Sequence, residues 1–194
     1  MTPLAATLSA TWLLTRASGA VSLLLLSAAL VLGIVDVARW RSSRWPRFVI
    51  DALHRNLSLL AVVFVAIHVV STVLDRFVSI GFASAFVPFT NGYRTLWLGL
   101  GALAFDILLA LIATGLLRRH VGHRLWRAIH WAAYACWPLA LLHALGTGSD
   151  ASRPWMLAIA LGSAAAVAVA VVTRVALAGG TGPTAQRRAG ALSR

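Results

Sequence analysis

The chain has 194 residues, 60% of them hydrophobic and only 11% charged, with a formal net charge of +12. A soluble domain carries about 25% charged residues, so this composition excludes an ordinary soluble protein and points to an integral membrane one. The positive charge would suggest nucleic-acid binding in a soluble chain, but here the arginines flank apolar runs, where topology signals sit.

All 17 basic residues are arginine, and five aspartates are the only acids. That bias fits a bacterial genome rich in G and C. The single cysteine, Cys136, lies inside an apolar run. It excludes an internal disulfide and any cysteine-based zinc or iron–sulfur framework, and it reads as a small hydrophobe.

Five runs are long enough to cross a hydrocarbon core, which takes about 20 helical residues. The first is 11–37; the stretch before it lacks the basic segment of a signal peptide, so residue 1 is read as mature. The connection that follows carries Arg39, Arg41, Arg44 and Arg47. The second run, 48–74, holds His54 and His68 fourteen positions apart, with Arg55 beside the first of them and four positions after Asp51. An ordinary helical ion pair would satisfy that arginine.

The next connection contains Val87-Pro88-Phe89-Thr90, which resembles a flavin-binding motif but lacks its histidine and precedes a membrane span. It is rejected as a flavin site. Tyr93 and Arg94 follow, and the third run, 96–117, places Asp106 near its middle. A central aspartate costs about 2.5–3.5 kcal/mol on insertion scales. It could orient a histidine ligand, relay a proton, or bond to a neighbouring helix as the neutral acid; these alternatives stay open.

A basic connection with Arg118, Arg119, His120, His123 and Arg124 leads into the fourth run, 125–145. That run holds Arg127, His130, Cys136, Pro138 and His143. The fifth run, 155–173, is alanine-rich, with Gly162 and Ala166 as a weak signal for close helix packing. Residues 179–194 read as a flexible cytoplasmic tail, and 1–178 as one membrane domain. No glycine-rich dinucleotide fingerprint or P-loop occurs anywhere.

Counting arginines by side gives thirteen on one face and four on the other. The positive-inside rule then puts the N-terminus outside and the C-terminus in the cytoplasm. With that topology the second and fourth helices are parallel. His54 and His130 lie near the cytoplasmic face, and His68 and His143 lie further out.

A single intramembrane histidine could serve a helix–helix hydrogen bond; four, paired on two helices, point to ligation. Fourteen positions climb about 21 Å and thirteen about 19.5 Å, giving two levels with one imidazole from each helix. Two facing imidazoles without carboxylate or thiolate suit haem better than zinc or copper. One mismatch remains: fourteen positions return to within about 40° of the starting face, whereas thirteen miss by about 140°. A kink at Pro138 would re-aim the second half of the helix.

The two histidine spacings, with the stretches around His54–Val70, Val87–Asp106 and Arg124–Asp150, resemble the ferric reductase-like transmembrane domain family over residues 11–150. The resemblance implies an all-α integral membrane protein, a bundle of about five transmembrane helices holding two stacked b-type haems. It implies His54, His130, His68 and His143 as axial iron ligands. Many members have six spans, and five are found here. Arg94 and Tyr93 outside, and Arg55, Arg124 and Arg127 inside, are placed to meet haem propionates, although each also fits as a topology or anchor residue.

The function expected is transmembrane electron transfer from a cytoplasmic flavoprotein or quinol to ferric iron, oxygen or a redox partner protein outside. The chain would be the membrane component of an oxidoreductase that needs a separate donor, in the inner (plasma) membrane of a bacterium, surrounded by lipid and without nucleic acid. The alternative is a non-catalytic haem-binding subunit that assembles a larger respiratory or repair complex. A histidine-lined metal transporter comes third, because the spans hold no glutamate and one central aspartate.

Overall fold

The computed structural model describes residues 10–37, 46–75, 80–148 and 150–180. Six helices carry them: α1 (Ala10–Val37), α2 (Arg47–Leu74), α3 (Thr95–Leu116), α4 (Arg118–His130), α5 (Ala133–Thr147) and α6 (Pro154–Gly180). One short 3₁₀ turn, Phe82–Ala85, lies between α2 and α3, and no strand occurs among the described residues. Arg39, Arg41, Arg44, Arg76 and the arginines of the tail lie outside the described residues, as does nearly all of that tail.

Helix boundaries follow local chemistry. Pro46 (φ −62°, ψ 146°) precedes α2, and Pro154 opens α6, both at positions where a missing N–H costs a helix nothing. Arg94 takes a left-handed conformation (φ 41°, ψ 49°) and turns the chain into α3. Gly122 (φ 73°, ψ 154°) breaks the regular path within α4, a conformation that strongly favours glycine.

Four helices, α1, α2, α3 and α6, are each long and apolar enough to cross a membrane, and α4 with α5 is so only as a pair, bent by 47° at the break between them. The protein is therefore a multi-pass, all-helical membrane protein. Its outward faces agree: Leu161 is 68% exposed and Val172 66% exposed on α6, as lipid-facing side chains are. The interior is built from small residues, among them Ser18, Ser22, Ser27, Ala61, Ala102, Ala104 and Ala160. Close approach of helix backbones needs such residues where lipid supplies no hydrophobic drive.

Two antiparallel pairs organise the bundle. α1 lies along α2, tied by Thr15 Oγ1 donating to Ser71 Oγ at 2.8 Å. α3 lies along α5, where the buried Cys136 thiol donates to the Ala104 carbonyl at 3.3 Å. The pairs are joined by Trp137 Nε1 on α5 donating to Ser27 Oγ on α1 at 2.8 Å, and α6 packs on α1. No close contact forms at Gly162, so α6 does not use it for tight packing.

The expected kink is present but displaced. Pro138 sits within α5, and the bend falls upstream at Trp131 and Ala132. There the chain makes i→i+3 bonds: Ala132 N–H to Ile129 O at 2.8 Å, Tyr134 to Trp131 at 3.1 Å, and Ala135 to Ala132 at 3.0 Å. A 3₁₀ segment turns about 120° per residue, more than the α-helix. This overwinding rotates His143 in the sense that closes the thirteen-residue mismatch. Pro138 contributes by denying the Tyr134 carbonyl its helical donor.

Candidate functional site

Four histidines from two helical spans meet as two pairs. His54 and His130 have ring centroids 6.4 Å apart with ring planes at 78°. His68 and His143 are 6.2 Å apart at 83°. A metal held at about 2.0–2.1 Å from a ring nitrogen on each side sets the nitrogens about 4 Å apart and the centroids about 6 Å apart. Both pairs match that separation. No group of three or more histidine, cysteine or acidic side chains with metal-binding geometry occurs among the described residues.

Three of the four rings are fixed through the other nitrogen. His54 Nδ1 lies 2.8 Å from the Ala29 carbonyl, His68 Nδ1 2.8 Å from the Thr15 carbonyl, and His143 Nδ1 2.9 Å from the Trp97 carbonyl. A carbonyl can only accept, so in each of the three rings Nδ1 carries the proton, and Nε2 lies outside that bond. These ring orientations are set by backbone acceptors.

Each of the three rings also lies against a glycine. A Cβ on Gly19 would stand 2.9 Å from His68 Nδ1, and one on Gly33 would stand 3.3 Å from His54 Cε1. A Cβ on Gly101 would overlap the His143 ring. His130 differs: it is exposed, ends α4, and stacks on Trp126 with centroids 5.0 Å apart at 20°.

A cavity of about 340 Å³ opens between the two helix pairs at the level of His68 and His143. Gly19, Gly101, Tyr93 and Arg16 are among its lining residues. Arg16 pairs with Asp150 and lies over the Trp12 ring, its guanidinium 3.9 Å from the centroid. Sequence reading had not singled out Arg16, because it counts as one more flanking arginine until α1 is seen to carry it into the cavity wall.

The other expected residues distribute as follows. Arg94 donates to the Gly146 carbonyl at 2.5 Å, closing the end of α5, and its guanidinium lies 5.9 Å from the Tyr93 ring centre. Arg55, Arg124 and Arg127 are exposed. Asp106 is half-buried on α3 and does not line the cavity. His120 and His123 join neither pair; His123 packs against Trp126 with centroids 5.6 Å apart. The glycines were missed too, although a signal was present: Gly19 and Gly33 repeat on α1 the fourteen-residue spacing of His54 and His68 on α2.

Comparison with known proteins bears on this geometry. The model of a family described as ferric reductase like transmembrane component matches residues 18–147, a stretch that includes all four paired histidines. No curated protein and no solved structure matches the chain significantly.

Proposed function

Since the chain belongs to the family of ferric reductase like transmembrane components, we propose that it carries electrons across a bilayer through two b-type haems. His54 and His130 would hold the haem nearer the cytoplasm, and His68 and His143 the outer one. The observation that carries this reading is the meeting of four histidines as two pairs, with centroids 6.4 Å and 6.2 Å apart. The residues fit the group on two counts. Nε2 is the nitrogen left for iron on three rings, and the cavity beside the outer pair is largely apolar, with Arg16 in its wall.

Bound haem supplies an iron that changes oxidation state by one electron. With a histidine from each helix on either side of the iron, oxygen and substrate would be kept off the metal, and the site would serve as a relay. The carbonyls of Ala29, Thr15 and Trp97 hold three imidazoles oriented, each through its Nδ1–H. Arg16 is the cation in the outer cavity wall and would meet a propionate there, exchanging its partner Asp150.

Electrons would come from a cytoplasmic flavoprotein or a quinol and leave to ferric iron, oxygen or a redox partner protein outside. The arginine count by side supports an N-terminus outside and a cytoplasmic C-terminus, and the arginine-for-lysine composition fits a bacterial inner membrane as the setting. Reduced-minus-oxidised spectra of the purified protein test the reading. Sharp low-spin b-type bands that carbon monoxide leaves unchanged are expected. Bands that shift with carbon monoxide would reveal an open iron position and refute the four-histidine assignment.

A further inference from the structure

The three docked histidines share one local motif. The acceptor carbonyl belongs to residue i and the clearing glycine to residue i+4: Thr15 with Gly19, Ala29 with Gly33, and Trp97 with Gly101. The reason is geometric. A helical carbonyl points along the axis towards residue i+4, so a ring reaching it from the side passes over that residue's Cβ. Only glycine leaves the path open.

On α1 the motif occurs twice, fourteen residues apart, serving the inner and the outer histidine of α2. On α3 the outer copy serves His143. Fourteen residues further along α3 stand Leu111 and Gly115, again carbonyl and glycine at i and i+4. Their depth, about 21 Å below the Trp97 dock, is the level of His130. Yet a Cβ on Gly115 would meet nothing within 4 Å, and His130 stacks on Trp126 instead. The Leu111 carbonyl receives a long bond of 3.3 Å from Thr114 Oγ1, whose shorter bond of 2.7 Å goes to Ala110.

We propose that the Leu111 carbonyl and Gly115 form the fourth dock, which positions His130 as the axial ligand of the inner haem. His130 donates its Nδ1–H to Leu111 and presents Nε2 to the metal, as the other three rings do. Gly115 is a positioning residue: it touches no haem and acts through His130 alone. The inference rests on the proposed haem assignment and adds a role for two residues of α3 that lack any such contact in the present arrangement.

The test uses the full-length chain purified with haem. Gly115→Ala and Gly115→Val are compared with wild type and with Gly162→Ala, a change at another helical glycine that also has open space. The readouts are haem per chain, the low-spin electron paramagnetic resonance signals, and a redox titration resolving two components. In the resting arrangement an added Cβ meets no neighbour at Gly115 or Gly162, so a structural role predicts that both alanine variants are silent. The proposal predicts that Gly115→Val lowers the affinity of the inner site for haem by about 10-fold, the lower end for losing the partner of a ligating histidine, read as loss of inner haem on titration with a competing apoprotein. Gly115→Ala shifts the signal and midpoint of the inner component, and Gly162→Ala changes neither. The outer component persists throughout and reports that the chain has folded. An unaltered inner component in both Gly115 variants, with its loss in Trp126→Ala, would overturn the proposal and leave His130 held by stacking. If wild type itself binds no haem, the failure lies with the haem assignment and not with the dock.

Discussion

The rings of His54, His68 and His143 each spend one nitrogen on a backbone carbonyl, and the glycine beneath each ring leaves the room that this bond needs. The spacing available to a methyl group grades the expected damage. Gly101→Ala should be the most harmful, since its Cβ would overlap His143, and Gly19→Ala should follow at 2.9 Å from His68. Gly33→Ala, at 3.3 Å from His54, needs a shift of only a few tenths of an ångström and should be mildest. Haem per chain in the three variants checks the order; equal occupancy would contradict it. Removing the ligands themselves separates the levels. His68→Ala or His143→Ala should abolish the outer redox component and largely spare the inner one, with His54→Ala or His130→Ala doing the reverse. Loss of the same component in the His54 and His143 variants would mean the pairing by depth is wrong.

At the scale of helices, the spans were legible because 20-residue apolar runs leave the backbone no alternative to helix in lipid. Predicted and observed bounds of the second run, 48–74 and Arg47–Leu74, differ by one residue. The fourth span was less legible. Its thirteen-residue spacing announced an irregularity, and Pro138 was the visible cause, but the bend sits at Trp131 and Ala132. Downstream of the bend, α5 is held by Trp137 bonding Ser27 and by Cys136 bonding Ala104. Those cross-links join residues more than thirty positions apart and leave no local trace in the sequence. Trp137→Phe should cost about 0.6 kcal/mol, the average for hydrogen bonds between membrane helices. Unfolding in mixed detergent micelles would measure it, and both redox components should survive.

For the molecule as a whole, two antiparallel helix pairs, α1 with α2 and α3 with α5, present histidines at two depths. The grouping of histidines by level followed from helix rise together with the parallel run of the second and fourth spans, and the same histidines meet as pairs. What sequence could not place was the surrounding charge. Arg16 and Arg94 look alike as flanking arginines, yet Arg16 lines the outer cavity while Arg94 closes the end of α5. Arg16→Gln should therefore shift the midpoint of the outer component downward, because a cation beside the haem favours the reduced, less positively charged centre. An unchanged midpoint would show that Arg16 serves only Asp150. In liposomes, NADPH with a ferric chelate should leave the haems oxidised until a flavoprotein reductase, a quinol or a chemical reductant is added. Prompt reduction by NADPH alone would reveal a nucleotide site on the chain.

The most direct test of the account is the haem content of the purified protein. A pyridine haemochrome assay on protein expressed with ample haem should give b-type haem at about two per chain, released by acid acetone because no CxxCH motif exists to attach it. Protein that is folded, by its helical circular dichroism and single detergent-micelle peak, yet carries no haem would contradict the account at its centre.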